Sequence, residues 1–163
     1  MKKAARHVLG LFALLAFPCA LLAGHGSLDP NVNQDNIEQT ICVSGYTSLV
    51  RLPRADGYAI KLQFMSEAGI DPSLSPHYAL DHIIPLALGG HPTDLDNLEL
   101  QLLDIAKRKD RIEAKLQCLV CSNQVPLVDA QREIAEDWEA AYHKYGKVKC
   151  RRSRTAVTTL ESQ

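Results

Sequence analysis

The chain has no excess of positive charge: 18 Lys and Arg stand against 19 Asp and Glu over 163 residues, a formal net charge of −1. That balance excludes a broad cationic surface that would hold nucleic acid by charge alone, so contact with a polyanion falls to a local basic patch or a metal ion. Internal repeats are also lacking, which excludes solenoid architectures. Cys118-Leu119-Val120-Cys121 has no second close pair to match it, because Cys42 and Cys150 are scattered. This argues against a four-cysteine zinc site. Nor is there a comfortable bilayer span: the one candidate run, Val8 to Phe17, is short and is broken at Pro18.

What is there begins with Met1, Lys2, Lys3, Arg6 and His7, then that apolar run, then a small-residue region from Ala20 to Gly24. Positive head, apolar middle and small-residue exit predict a secretory signal peptide over residues 1–23 and an exported, periplasmic or extracellular protein. No stable membrane association is expected after cleavage. Cys19 lacks the small residues that precede a lipidated cysteine. Cleavage removes Lys2, Lys3 and Arg6, which leaves a mature chain of about −4. Four cysteines survive it, and an even count in an oxidising compartment predicts two disulfides. Three pairings exist. A Cys118 to Cys121 bond would close an unusually tight loop, and the preferred arrangement is Cys42 with Cys121 and Cys118 with Cys150. The length and 46% hydrophobic content suit one small domain with a single core, expected as a monomer.

Residues 24–39 are rich in Gly, Asp, Asn, Gln and Pro and predict a flexible leader. The folded domain is expected over 40–148, with 149–163, carrying Arg151, Arg152 and Arg154, as a disordered basic tail. Thr40–Val43 and Thr47–Leu52 read as short extended segments around a turn. A helix is predicted from Gly57 to Ala68, and a charged helix from Asp104 to Val120 with Ile105, Ile112, Leu116 and Leu119 as its apolar stripe. A last helix is predicted from Asp129, as N-cap, to Tyr145, with Ile134, Trp138, Ala141, Tyr142 and Tyr145 on its core face.

Between these helices, Tyr78 to Leu88 is an apolar stretch with Asp81 and His82 in its middle, closed by Gly89-Gly90. Two adjacent ionisable groups in an apolar strand incur a desolvation cost of order kcal/mol, so each needs a partner. A hydrogen-bonded pair that merely stiffens a turn would meet that need. The wider pattern is more specific. Asp81-His82-Ile83-Ile84-Pro85-Leu86-Ala87-Leu88-Gly89-Gly90, six residues, then Asn97-Leu98, resembles the core of the HNH nuclease family. The resemblance continues in Lys109-Asp110-Arg111-Ile112-Glu113 and in Val120-Cys121-Ser122 leading to Ala130-Gln131-Arg132-Glu133-Ile134 with Asp137-Trp138. It covers about residues 40 to 146 and points to the small exported or phage-type HNH proteins.

The resemblance implies an α+β fold, a ββα-metal core with additional helices and mainly helical outside that core. It also implies one divalent metal, Mg²⁺ in the first instance with Mn²⁺, Ni²⁺ or Zn²⁺ as alternatives, and hydrolysis of phosphodiesters in nucleic acid, DNA before RNA. His82 would be the general base, Asp81 a metal ligand, and Asn97 the residue that fixes the loop and orients the histidine. The third family position, usually His or Asn on the helix, aligns with Lys107, whose ammonium cannot ligate a metal. Asp104 or Asp110, a helical turn away, would then substitute. Arg51 could pair with the scissile phosphate, although a structural salt bridge is the commoner role. Lys107, Arg108, Lys109 and Arg111 would give the helix a basic side able to follow a phosphate backbone. The competing expectation is a non-catalytic nucleic-acid-binding module that has lost its metal.

Overall fold

A computed structural model of the chain describes residues 25–151. The expected signal peptide and residues 152–163 of the expected tail lie outside the described residues. Four helices, several 3₁₀ turns and one two-stranded sheet make a mixed α+β fold in which helix predominates. In chain order these are α1 (Tyr46–Val50), α2 (Arg54–Glu67), β1 (Tyr78–His82), β2 (Leu98–Leu102), α3 (Leu103–Cys121) and α4 (Leu127–Tyr145).

The strands β1 and β2 are antiparallel, with Asp81 opposite Glu99 and His82 opposite Leu98. α3 follows β2 without a loop, and α3 packs along α4. The apolar stripe of α3 builds the core: Ile112, Leu116, Leu119 and Val120 are all fully buried and meet Ile41, Leu88, Leu127, Ala130 and Ile134. Among the described residues no helix is long and apolar enough to cross a membrane.

The connection from β1 to β2 is a folded loop. β1 ends at His82, Pro85 leads into a 3₁₀ turn, Leu86–Leu88, with both leucines buried, and Gly89 stops it in the left-handed region at φ 75°. Gly90 has no room for a side chain, since a Cβ there would overlap the Ile84 carbonyl. These constraints explain why the loop carries two glycines in succession.

Two disulfides hold the helical part, Cys42 with Cys121 and Cys118 with Cys150, the pairing preferred on sequence grounds. They agree with an oxidising environment.

Several expectations need correction. Residues 25–39 are not a flexible leader: Val32 and Ile37 are buried, and Asn33 caps a 3₁₀ helix, Gln34–Gln39. Residues 27 and 29 also bond backbone to backbone with the glycine loop, Asp29 N–H to Gly89 O at 2.9 Å and His91 N–H to Ser27 O at 2.8 Å. Asx turns and caps, which hydropathy does not display, fold this polar stretch. The segment 47–52 is not extended, because α1 occupies most of it. Residues 149–151 are not free either. Cys150 is cross-linked, and Gln124 bonds both the Lys149 carbonyl and the Arg151 N–H.

The last helix begins at Leu127 and is broken at Asp137, whose backbone is extended at φ −162° and ψ 94°. Asp137 then recaps the chain, its carboxylate accepting the Ala140 N–H at 2.9 Å. Ile134, Ala141 and Tyr145 reach the core as expected, but Tyr142 is exposed and Trp138 only half-buried.

Candidate active site

A cleft of about 800 Å³ opens where the end of β1 meets α3 and the chain from Cys42 to Arg51. Asp81, His82, Arg51, Asp110 and Glu113 all line it. Neighbours on a regular strand point to opposite faces, yet Asp81 and His82 both reach this space because His82 is the last residue of β1.

His82 is 8% exposed, and its Nε2 lies 3.2 Å from the carbonyl oxygen of Pro92. A carbonyl only accepts, so Nε2 carries the proton and Nδ1 keeps a lone pair. Burial lowers the pKa of His82 below its ordinary value, outweighing the Pro92 bond and the Asp81 charge, which favour the cation. The ring is neutral at pH 7, with one nitrogen able to receive a proton.

Asn97 is fully buried and holds the loop shut. Its Oδ1 accepts the Ile84 N–H at 2.9 Å, and its Nδ2 donates to Ile84 O at 3.0 Å and to His91 O at 2.9 Å. With its polar atoms engaged on backbone, its contribution is to position the His82 loop. His91 serves the same loop, its Nδ1 accepting the Asp94 N–H at 3.0 Å.

Lys109 is 1% exposed and lies beneath Asp81. Its Nζ donates to Asp81 Oδ2 at 3.0 Å and to the His82 carbonyl, with Glu99 and Glu113 each at 3.6 Å. Lys109 is therefore not on a basic outer side, as expected, but is a buried counter-ion that fixes the two central residues. The signal was present in the sequence: Lys109 is four residues after Ile105 and three before Ile112, inside the apolar stripe.

Lys107 and Asp104 are exposed and do not line the cleft. The helix presents Asp110 there, and Glu113 one turn on. Asp104 stands in the first turn of α3, where its charge suits the helix dipole. Arg108 and Arg111 are exposed on another face; Arg108 pairs with Glu139 at 3.0 Å. Arg51 is exposed at the cleft and, among the described residues, makes no salt bridge. The structural pairing that is the commoner role for such an arginine is not observed.

Glu113 was overlooked as more than a dilution of helix charge. Burial, with the Asp81 charge added, raises its pKa to about 7, and its Oε1 is buried without a hydrogen-bond partner. Asp110 is raised too, by burial first and then by Asp81. Carboxylates thus outnumber the nearby cations, and the hard oxygen set of Asp81, Asp110 and Glu113 has the chemistry of a divalent-cation site. Their placement is another matter: among the described residues no group of three or more His, Cys, Asp or Glu is arranged so that it could hold a metal ion. Compared with family models, curated proteins and solved structures, the chain matches none.

Proposed function

We propose that the chain is an exported, metal-dependent endonuclease of the HNH type that hydrolyses phosphodiester bonds in nucleic acid, with DNA favoured. The observation that carries this reading is the pairing of a neutral His82, its Nδ1 free, with the electron-rich oxygens of Asp81, Asp110 and Glu113 in one cleft. The antiparallel hairpin running directly into α3 supports a ββα core around that cleft.

In this reading His82 takes a proton from water at Nδ1 as the water oxygen attacks phosphorus. The bond from phosphorus to the 3′ oxygen breaks, and the leaving oxygen is protonated from solvent. Asp81, Asp110 and Glu113 would hold one divalent cation, Mg²⁺ in the first instance, which when bound neutralises charge on the phosphate and the leaving oxygen. Arg51, at the cleft and without a salt bridge among the described residues, supplies a second positive charge to a phosphate oxygen. Lys109 fixes Asp81, and Asn97 fixes the loop that carries the Pro92 carbonyl and hence the His82 ring.

The test is cleavage of plasmid DNA by the oxidised protein with Mg²⁺ or Mn²⁺. Cleavage should stop with EDTA, and His82→Ala should reduce it by at least a hundredfold. Persistent cleavage by His82→Ala would remove the mechanism. Nucleic-acid binding without cleavage by the wild type would return the chain to the non-catalytic module.

A further inference from the structure

On another face of α3 from the cleft is a second, smaller pocket of about 210 Å³, lined by Arg108, Arg111, Trp138, Glu139, Tyr142 and His143. The break at Asp137 lies directly before Trp138, at the edge of this pocket. Arg108 lies over the Trp138 ring, 5.5 Å from its centroid, and is held there by Glu139. Arg111 is exposed and, among the described residues, has no salt bridge. The Tyr142 and His143 rings meet edge to face beside it.

Planar rings flanked by guanidinium groups are the ordinary means of holding an unpaired base and its phosphate. The pocket is too small for a duplex, and the bases of a duplex are stacked on one another and unavailable. The net negative charge of the chain leaves little general attraction for a polyanion, so a local site of this kind carries weight. We infer that this pocket is a subsite for one base of single-stranded nucleic acid, with Arg111 on the adjoining phosphate.

The inference rests on the nuclease reading for its ligand class. α3 contributes to both sites, Asp110 and Glu113 to the cleft and Arg108 and Arg111 to the pocket, and a helix with its side chains is about 10–12 Å across. A strand of a few nucleotides spans that width.

Trp138 is the only tryptophan in the chain, which gives the subsite its own reporter. The experiment uses the oxidised protein carrying His82→Ala, in chelator, titrated with a single-stranded 12-mer of deoxythymidine while tryptophan fluorescence is read. Saturable quenching is expected, with no comparable quenching from a duplex of the same length. Tyr142→Ala and Arg111→Ala, both on the surface, should each weaken the single-strand titration about tenfold while leaving the thermal midpoint unchanged. Absent quenching, equal quenching by duplex, or titrations indifferent to Tyr142→Ala would overturn the subsite. The outcome is separable from the fate of the cleavage reading: quenching by a protein that cuts nothing keeps the subsite and removes the nuclease, whereas cutting without quenching does the reverse.

Discussion

At Glu113 a carboxyl whose ordinary pKa is 4.5 is raised to about 7 by burial and by the charge of Asp81. Because the folded pKa lies above the unfolded one, the folded state binds more protons between these values. The fold is therefore relatively favoured below pH 4.5 and loses that advantage as pH rises through 7. Above pH 7 the buried anion costs on the order of 3 kcal/mol in the metal-free protein. Glu113→Gln should then raise urea stability by about 2 kcal/mol at pH 8 in EDTA and change it little at pH 4. A gain independent of pH would show that Glu113 is not the group concerned. The residue scale is also where sequence reading was least complete. Asp81, His82 and Arg51 were identifiable as chemical groups and do share a cleft. Lys109 was misread because a cation at an apolar position was taken for part of a solvated face.

At the scale of elements, the β1 to β2 loop depends on one side chain. Asn97→Ala would leave the Ile84 N–H, the Ile84 carbonyl and the His91 carbonyl without their partner. Each loses about 1 kcal/mol or more, so a loss of about 3 kcal/mol is expected in denaturant titrations, with faster hydrogen exchange at the Ile84 amide. Unchanged exchange there would contradict the assignment of Asn97 as the loop's fastener. The long elements were legible because each carries a period: α3 and α4 repeat apolar residues at helical spacing, and the β1 stretch is bounded by proline and glycine. Two things were not. The stretch 25–39 folds through caps and turns made by Asp29, Asn33 and Asn36, which leave no hydrophobic period. The break at Asp137 was hidden because the apolar period on its two sides could be read as one continuous stripe.

For the whole molecule, the cross-links act on stability through the unfolded chain. The Cys42 to Cys121 bond spans 79 residues, and closing a loop of that size in the unfolded chain is worth about 4 kcal/mol in the entropic account. The double variant Cys42→Ser/Cys121→Ser should melt about 15 °C lower in a thermal scan, given roughly 4 °C per kcal/mol for a domain between the small and large size classes. A shift of only a few degrees would mean that core packing alone holds the two segments.

The same bond has a bearing on timing. One of its cysteines precedes α1 and Arg51, and the other ends α3, so it fastens the two sides between which the cleft lies. A reduced chain lacks this fastening between the Arg51 side and the α3 side. On the proposed reading, the cleft is completed only by oxidation, so the protein is armed only where its thiols can be oxidised.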